Sequence, residues 1–464
     1  MFRSYRSPYT TSVYSRRRQR ATFPWKSILM TLAGLVLLEL GTRAIVLFSG
    51  RSAELNARDR EPATVYKIQF FNERGRNLTG LDQAGQLQIQ QRALLGYQLV
   101  RDQTSPFWTI SEQGFRGAEP LPVTKPEGEV RIFILGGSAA FGHWLPSDAA
   151  TMPAKLEARL RERLEQQARS PEKYRPTVLP ANGAARAQAL SRAPRLREAD
   201  YRVINAAVPG YIATNHLAQL AVKILPYQPD VIVLLSGYED LMLAGERDAA
   251  IIPETDKFLG RPFYHVVASL GDPVARFARG TMLFRAVRHW IWQPEPRLAD
   301  QALPLYSGRD PLEDYLPQTE AQLEQRLARY DAAVKQMVRL SAGAGVPMVV
   351  ALQPEITGLE PEVLQPGEAA IAQQLDAAYV TQVQAGFTRL GELNDRIGEA
   401  FAANVKVLNY YTLFNQFSAE AFTDPVHLTE AANTALAERF YNAIAELPQL
   451  HTTPQQAPPP ATVR

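Results

Sequence analysis

Short apolar runs alternate with longer stretches of helical periodicity through most of this chain. Five runs are rich in Val, Ile and Leu and too short for helices, so they predict strands that are buried on both faces. They lie at residues 130–136, 202–206, 230–236, 346–352 and 404–408. Helical patterns fall between and after these runs, at about 151–168, 213–225, 320–342, 367–402 and 429–446.

Strands that alternate with helices in this way predict a parallel sheet covered on both faces. We therefore expect an α/β domain over residues 126–447. Residues 50–125 carry shorter alternating stretches, such as Tyr66 to Phe71, and predict a linker and a small β-rich segment packed against that domain.

Two stretches interrupt the alternation of strands and helices. Residues 169–200 are rich in Pro, Ala and Arg and predict an exposed, mobile insertion. Residues 244–318 carry several Phe, Tyr and Trp residues, and two interpretations stay open: a helical subdomain with its own small core, or a lid or aromatic sugar platform over the site. Residues 1–24 and 448–464 have the composition of disordered tails.

One segment, from about Ile28 to Phe48, is long and apolar enough to cross a bilayer as a helix. Glu39 and Arg43 interrupt it four residues apart, on one helical face, where they can pair. Basic residues without any acidic residue flank its N-terminal side: Arg3, Arg6, Arg16, Arg17, Arg18, Arg20 and Lys26.

This charge distribution predicts a single-pass signal anchor at residues 25–49, with the N-terminus in the cytoplasm and the following domain periplasmic or extracellular. The lipid bilayer is then one partner of the chain, through residues 28–48. A cleaved signal peptide, with a weak site at Ser52-Ala53, and a buried helix are the alternatives.

Composition narrows the functional classes. The chain has 464 residues, of which 46% are hydrophobic and 21% charged, which suffices for a sizeable core. Its net charge of +3 is too small to indicate a nucleic-acid partner. With no cysteine and no cluster of histidines, the sequence predicts neither disulfides nor a metal or cofactor site.

A candidate catalytic residue follows the end of the first buried apolar run, at residues 130–136. Gly136 and Gly137 form a tight turn there, which places Ser138 at the carboxyl edge of the sheet, where open α/β folds build their sites. A serine hydroxyl becomes a nucleophile when an imidazole takes its proton and a carboxylate holds that imidazole. Asp424-Pro-Val-His427 supplies both groups, just before a helix that Thr429 is expected to cap.

Other interpretations of these motifs are weaker. The glycines of residues 137–142 continue into His143-Trp144 instead of the Lys-Ser/Thr of a phosphate loop. Ala140 stands where a Gly-x-Ser-x-Gly elbow requires its last glycine. We expect the remaining histidines at the surface or at helix caps: His143, His216, His265, His289 and His451.

At this point the chain resembles the SGNH (GDSL-type) hydrolase superfamily, over roughly residues 95–446. The segment Ile110–Gly117 also looks like that of membrane-anchored bacterial members. The resemblance implies a five-stranded parallel sheet of flavodoxin-like type, and it rests on four blocks in the family's order: Gly136-Gly-Ser138, Asn205-Ala-Ala-Val-Pro-Gly210, Ser236-Gly-Tyr-Glu-Asp240 and Asp424-Pro-Val-His427.

The resemblance implies a role for each block. Ser138 matches the nucleophile, His427 the base and Asp424 its orienting partner. The backbone N–H groups of Ser138 and Gly210 match two donors to the oxyanion. The third oxyanion donor of the family is an asparagine, and this chain has Glu239 in its place.

An ionised Glu239 would repel an oxyanion, and losing one donor costs about 2.7–4 kcal/mol of transition-state stabilisation. Two arrangements would still allow activity with Glu239 at this position. Burial can hold a carboxyl protonated, so that it donates, or Glu239 can point elsewhere while a neighbouring backbone N–H takes over.

We therefore expect a serine esterase that acts outside the cytoplasm on acyl esters, with O-acetylated polysaccharide as the substrate class that its location favours. Acyl transfer to a glycan hydroxyl would use the same site. The third hypothesis is a catalytically weakened protein that binds glycan or anchors an envelope assembly. A Ser138–His427 hydrogen bond favours the enzyme, and a Glu239 carboxylate that fills the oxyanion site favours the binding protein.

Overall fold

The computed structural model describes residues 25–49, 65–66, 68–71, 86–92, 95–242, 281–287 and 311–456. These residues belong to two compact units. One contains the described ranges 25–49 and 281–287, and the other contains the remainder. The predicted basic tail, most of the 244–318 insertion and residues 457–464 lie outside the described ranges.

The strands of the described residues are, in chain order, β1 (Ile68–Phe71), β2 (Leu87–Arg92), β3 (Gly96–Leu99), β4 (Gln103–Thr104), β5 (Thr109–Ile110), β6 (Glu129–Gly136), β7 (Val178–Leu179), β8 (Asp200–Asn205), β9 (Val231–Ser236), β10 (Met348–Leu352), β11 (Val405–Asn409) and β12 (Gln455–Gln456). The helices are α1 (Trp25–Phe48), α2 (Ser138–Phe141), α3 (Met152–Arg169), α4 (Gly183–Leu190), α5 (Ala213–Gln219), α6 (Tyr238–Met242), α7 (Met282–Val287), α8 (Glu320–Gly343), α9 (Pro366–Ala372), α10 (Ala377–Ala400) and α11 (Glu430–Ala445).

The larger unit is an α/β fold around a five-stranded parallel sheet with the order β11-β10-β9-β6-β8. This is the flavodoxin-like order that the sequence predicted, and all five predicted strands are present within about two residues of their expected ends. The chain runs from β6 to β8 on one side and then crosses to β9 on the other side of β6. The carboxyl ends of β6 and β9 therefore flank the topological switch point, where folds of this type bind ligands.

The sheet is buried because its strands are apolar on both faces. In β9, Val231, Val233 and Leu235 face one core cluster while Ile232 and Leu234 face the other. The first cluster is completed by α3 and α11, and the second by α8, α10 and the end of α5. Helices thus cover both faces of the sheet, as predicted.

The predicted helix over 367–402 is two helices in the structure. Asp376 has an extended backbone, and its side chain accepts the Ala378 N–H at 2.7 Å, so it caps the N-terminus of α10. An Asp side chain that satisfies a free N–H in this way favours a new helix start over continuation. The helix predicted over 213–225 also changes form, since α5 ends at Gln219 and a wider π-helical turn follows over Leu220–Ile224.

Residues that we expected to be peripheral are partly folded. The 169–200 stretch contains α4 and β7, and β7 pairs with β12 near the C-terminus. Leu450, expected within a disordered tail, is completely buried in the first core cluster. The tail expectation was therefore wrong for residues 448–456, because an apolar side chain there reaches the core.

In the smaller unit, α1 contains 24 residues, and its Leu29–Phe48 part is long and apolar enough to cross a membrane. A signal sequence near the N-terminus can meet the same criteria of length and apolar composition, so these criteria alone do not distinguish an anchor from a signal sequence. The predicted pairing of Arg43 with Glu39 is present, with Nε 2.7 Å from Oε1.

Arg116, from the segment that precedes the first block, ties the turn after α2 to the rest of the larger unit. Its guanidinium donates to Asp148 Oδ1 at 2.8 Å and to the carbonyl oxygens of Phe141 and Gly142 at 2.9 and 2.8 Å. Asn205 Nδ2 donates to the same Phe141 oxygen at 3.1 Å. Arg116 is 5% exposed, so these bonds replace water almost entirely.

We expect Arg116→Met to destabilise the protein by about 2–5 kcal/mol, because it removes the buried hydrogen bonds of a charged donor to Asp148 and to the Phe141 and Gly142 oxygens. Urea unfolding of the detergent-solubilised protein measures this loss. Arg169→Met is the matched control, since Arg169 is 72% exposed and pairs, among the described residues, with Glu165 alone on the surface of α3. Its effect should stay within about 0.5 kcal/mol. Equal losses in the two variants would contradict the role given to Arg116.

Candidate active site

Ser138 is the first residue of α2, directly after β6 and its two glycines. Both glycines are required by close contacts. A Cβ on Gly136 would lie 2.4 Å from the Leu235 carbonyl oxygen, and a Cβ on Gly137 would lie 1.9 Å from Glu239 Oε1. The glycine pair therefore lets Ser138 and Glu239 approach each other at the switch point of the sheet.

Glu239 follows β9 and contacts Ser138 directly. Its Oε1 accepts the Ser138 N–H at 2.9 Å and the Ser138 hydroxyl at 3.2 Å. Its Oε2 is buried and has no hydrogen-bond partner in the part of the chain that the structure describes. Glu239 thus occupies the backbone donor that the family resemblance assigns to an oxyanion.

Burial raises the pKa of the Glu239 carboxyl above its ordinary value. The hydrogen bonds from Ser138 and the nearby charge of His427 oppose this rise without cancelling it. The environment therefore shifts Glu239 towards the neutral acid, and Oε2, which has no hydrogen-bond partner among the described residues, is the oxygen that can carry the proton without losing an existing bond.

Asp424 and His427 form a pair in the loop before α11. Asp424 Oδ2 lies 2.6 Å from His427 Nδ1, and Asp424 Oδ1 accepts the backbone N–H groups of Val426 and His427 at 2.9 and 2.8 Å. Thr429 caps α11 as predicted, because its side chain accepts the Ala432 N–H at 3.2 Å. This compact turn fixes the carboxylate against the imidazole.

The pair is buried but its carboxylate stays ionised. Burial alone would raise the pKa of Asp424, but the charge and hydrogen bond of His427, with the two backbone N–H bonds, lower it to about 2. His427 is completely buried, and within the described ranges its Nε2 has no hydrogen-bond partner. Asp424 thus accepts a hydrogen bond from His427 Nδ1, and Nε2 is the ring nitrogen that is open to a reacting group.

Trp144 is a further residue of the site, which the sequence analysis passed over. Its indole Nε1 donates to Asp424 Oδ2 at 2.8 Å, across 280 residues of sequence. Its backbone has a φ of 68°, an unusual value for a residue other than glycine, and this turn brings the indole to the carboxylate. The only sequence signal was its position six residues after Ser138.

His143 and His216 are both completely buried, so the expectation of surface or capping positions was wrong for them. The His143 ring stacks on the His427 ring, with centroids 5.0 Å apart and an interplanar angle of 27°. Burial lowers the pKa of His143 well below its ordinary value, and the nearby positive charge of His427 adds to this. A neutral ring therefore lies flat against His427.

The structure brings together some predicted residues and not others. Among the described residues no hydrogen bond joins Ser138 to His427. Gly210 has a left-handed backbone with a φ of 79°. Two residues earlier, the Val208 N–H donates to the Gly136 oxygen at 3.0 Å, which places this block beside the end of β6.

Two more buried carboxyls surround the site. Burial raises the pKa of Asp240, which accepts the Ala213 N–H, to about 7. Burial likewise raises the pKa of Glu355 to about 7, and the negative charge of Asp424 adds to that rise. Glu355 accepts from Tyr379 at 2.9 Å and from the Thr357 N–H at 2.7 Å. Asp424 is therefore the carboxyl that this environment keeps ionised, while burial shifts Asp240 and Glu355 towards the neutral form.

No family model matches this sequence, and no curated protein matches it. Solved structures do match. The acetyl xylan esterase AlAXEase is 9% identical, with 68% of this chain and 100% of that chain covered at a TM-score of 0.34. A catalytic mutant of Axe2, an acetylxylan esterase from Geobacillus stearothermophilus, is 11% identical, with 70% and 97% covered at a TM-score of 0.34.

A structure described as a lipolytic protein of the G-D-S-L family, from Desulfitobacterium hafniense, is 9% identical, with 68% of this chain and 99% of that chain covered at a TM-score of 0.33. At these identities the likeness concerns the fold, and the strand order already establishes that fold. The chain has the α/β architecture that the motifs predicted. The solved structures to which it is similar include acetyl xylan esterases and a lipolytic protein of the G-D-S-L family.

Proposed function

We propose that this protein is a serine hydrolase of SGNH type that acts on acyl esters, with Ser138 as nucleophile and His427 as base. The observation that carries the proposal is the buried Asp424–His427 pair, whose 2.6 Å contact leaves His427 Nε2 without a partner. A buried imidazole nitrogen that is oriented by a carboxylate and bonds nothing else has the geometry of a general base.

The reaction then runs in two steps. Ser138 Oγ attacks the ester carbonyl while its proton passes to His427 Nε2, and the leaving alcohol takes that proton as the acyl-enzyme forms. Water attacks the acyl-enzyme next, again through His427, and releases the carboxylic acid and free Ser138. A glycan hydroxyl in place of that water gives acyl transfer from the same intermediate.

Glu239 acts in this proposal as a neutral acid. Its Oε1 holds the Ser138 backbone and hydroxyl, and a proton on Oε2 gives the site a donor toward the oxyanion. A protonated carboxyl thereby takes the role of the asparagine amide that the family resemblance implied. Attack requires the Ser138 hydroxyl to turn from Glu239 to His427.

Trp144 is proposed as a positioning residue. Its indole N–H and the His427 ring bind the same oxygen, Asp424 Oδ2, so Trp144 limits how the carboxylate can rotate. Gly210 is proposed as a second backbone donor to the oxyanion, as the resemblance implied.

We propose O-acylated glycans outside the cytoplasm as the substrate class. The support is the apolar helix α1 behind a basic N-terminal segment, because this pattern favours a position where envelope and exported polysaccharides are within reach. In this proposal α1 is a retained anchor, and the larger unit faces the periplasm or the exterior.

A second candidate function is glycan binding without turnover. Two observations favour it. The Ser138 N–H already donates to Glu239, and a donor that is engaged cannot stabilise an oxyanion. Among the described residues, no hydrogen bond joins Ser138 to His427, which is the contact expected of the enzyme. The two candidates differ in whether Ser138 is a reactive nucleophile.

A fluorophosphonate probe distinguishes them, since it reacts with an activated serine whatever the substrate. We expect labelling of the wild-type protein and none of Ser138→Ala, with His427→Ala at least about a hundredfold slower because the base is gone. Mass spectrometry of the labelled peptide locates the adduct. Absence of an adduct on Ser138 at every pH tested would favour the binding protein.

The pH dependence tests Glu239. Because only the neutral acid donates, esterase kcat/KM should fall by about tenfold per pH unit above the raised pKa of Glu239. Glu239→Gln should lose this descending limb, since an amide donates without titrating. The exposed Glu165→Gln on α3 is the control and should keep the wild-type profile. A descending limb that persists in Glu239→Gln would show that another group produces it.

Trp144→Phe tests the positioning role. It removes the donor to Asp424 but keeps an aromatic ring, and loss of a hydrogen bond to a charged group corresponds to about 1.5–3 kcal/mol, so kcat should fall by about 10- to 100-fold. Trp108→Phe is a matched control, because the Trp108 indole N–H is buried without any partner.

The acidic limb of the pH profile separates positioning from general destabilisation. Trp144 donates to the charged form of Asp424, so its removal should raise the pKa of that carboxyl. The loss of activity at low pH should then begin at a higher pH in Trp144→Phe. An unchanged acidic limb, or equal losses of kcat in both Trp variants, would refute the positioning role.

A further inference from the structure

Glu39 has more partners than the arginine on its own helix. Its Oε1 accepts the Met282 backbone N–H at 2.9 Å and its Oε2 accepts the Leu283 N–H at 2.9 Å, in addition to the 2.7 Å contact with Arg43. Both oxygens of this carboxylate are therefore bound by a segment that lies 243 residues further along the chain.

These hydrogen bonds matter because Glu39 lies deep within an apolar helix. It lies near the middle of the Leu29–Phe48 stretch that is apolar enough to cross a membrane. A carboxylate at such a depth is costly unless donors satisfy it, and an uncovered peptide N–H there is costly as well. The hydrogen bonds between Glu39 and residues 282 and 283 remove both costs at once.

The remainder of α1 shows that a single face is covered. Val46, seven residues after Glu39, is completely buried, whereas Leu37 and Leu47 are 70% and 71% exposed. Residues seven apart lie on the same side of a helix. The face with Glu39 and Val46 therefore packs against protein, and the opposite apolar face is free to contact lipid.

The sequence around α7 suits the same environment. Met282-Leu-Phe-Arg-Ala-Val287 is apolar at five of its six positions. Arginine and tryptophan, the residue types that favour the membrane interface, flank it in the sequence at Arg276, Arg279, Arg288, Trp290 and Trp292. α7 and α1 pack against each other in the smaller compact unit.

We propose that α1 is retained in the mature protein and that α7 docks on it within the bilayer, with Glu39 as the docking point. The chain between α6 and α8 then makes a second contact with the membrane besides the anchor helix. Cleavage after α1 would remove the partner of α7, so this arrangement requires an anchor and not a cleaved signal peptide.

The absence of cysteine from the chain allows a direct test. Ala286, which is 5% exposed, is changed to cysteine in the otherwise complete protein, and membranes that carry it are treated with a soluble maleimide. We expect slow labelling of Ala286→Cys alone. Adding Glu39→Ala should release α7 and speed labelling by at least about tenfold, as expected for loss of hydrogen bonds to a charged group.

Two further variants serve as controls. Leu40→Ala changes the neighbouring residue, which is 57% exposed, and should leave the labelling of Ala286→Cys slow. Glu39→Gln keeps one acceptor oxygen and should give an intermediate rate. A tag at the N-terminus of the same molecules reports whether α1 is retained.

Equal labelling rates of Ala286→Cys with and without the added Glu39→Ala change, whether fast or slow, would overturn the docking role of Glu39. Loss of the N-terminal tag from the mature protein would overturn the retention of α1. Neither readout requires ester hydrolysis, so the same experiment in a Ser138→Ala background should give the same rates. Failure of the proposed enzyme function would thus leave this test unaffected.

Discussion

The contact between Glu239 and Ser138 is the constraint on which the rest of the site depends. A carboxyl group beside the serine is possible only because Gly137 has no side chain, since a Cβ there would overlap Glu239 Oε1. The contact also needs the carboxyl ends of β6 and β9 to be neighbours, which the crossing of the chain after β8 provides. Burial then favours the neutral form of Glu239, because water is not available to solvate its charge.

The other half of the site has the opposite electrostatic character. Asp424 remains ionised because His427, Trp144 and two backbone N–H groups all bind it. In the proposed mechanism, a neutral Glu239 next to the serine and the charged Asp424 behind the imidazole divide the acid and base roles between two environments. His143 and Trp144 join these halves, since both follow α2 closely and both contact the Asp424–His427 pair.

Sequence patterns were sufficient for the fold and for the residues that bond to near neighbours in the chain. Buried strands are recognised as uninterrupted apolar runs. Asp424 bonds to His427, and Thr429 to Ala432, each pair only three residues apart. The contacts of Glu239 with Ser138 and of Trp144 with Asp424 span 101 and 280 residues, and no local pattern encodes them. The same holds for Glu39 and α7: the sequence indicated the Glu39–Arg43 pair, but not the distant backbone groups that complete it.

The central claim is that Glu239 is protonated while it holds Ser138, and infrared spectroscopy tests it most directly. The difference spectrum between wild type and Glu239→Gln at neutral pH isolates the vibrations of this one carboxyl group. If Glu239 is protonated, this spectrum should contain the C=O stretch of its carboxylic acid, and carboxylate bands should replace that stretch as the pH is raised. Carboxylate bands alone at neutral pH would contradict it, because an ionised Glu239 on the Ser138 N–H leaves the site without the donor that ester hydrolysis requires.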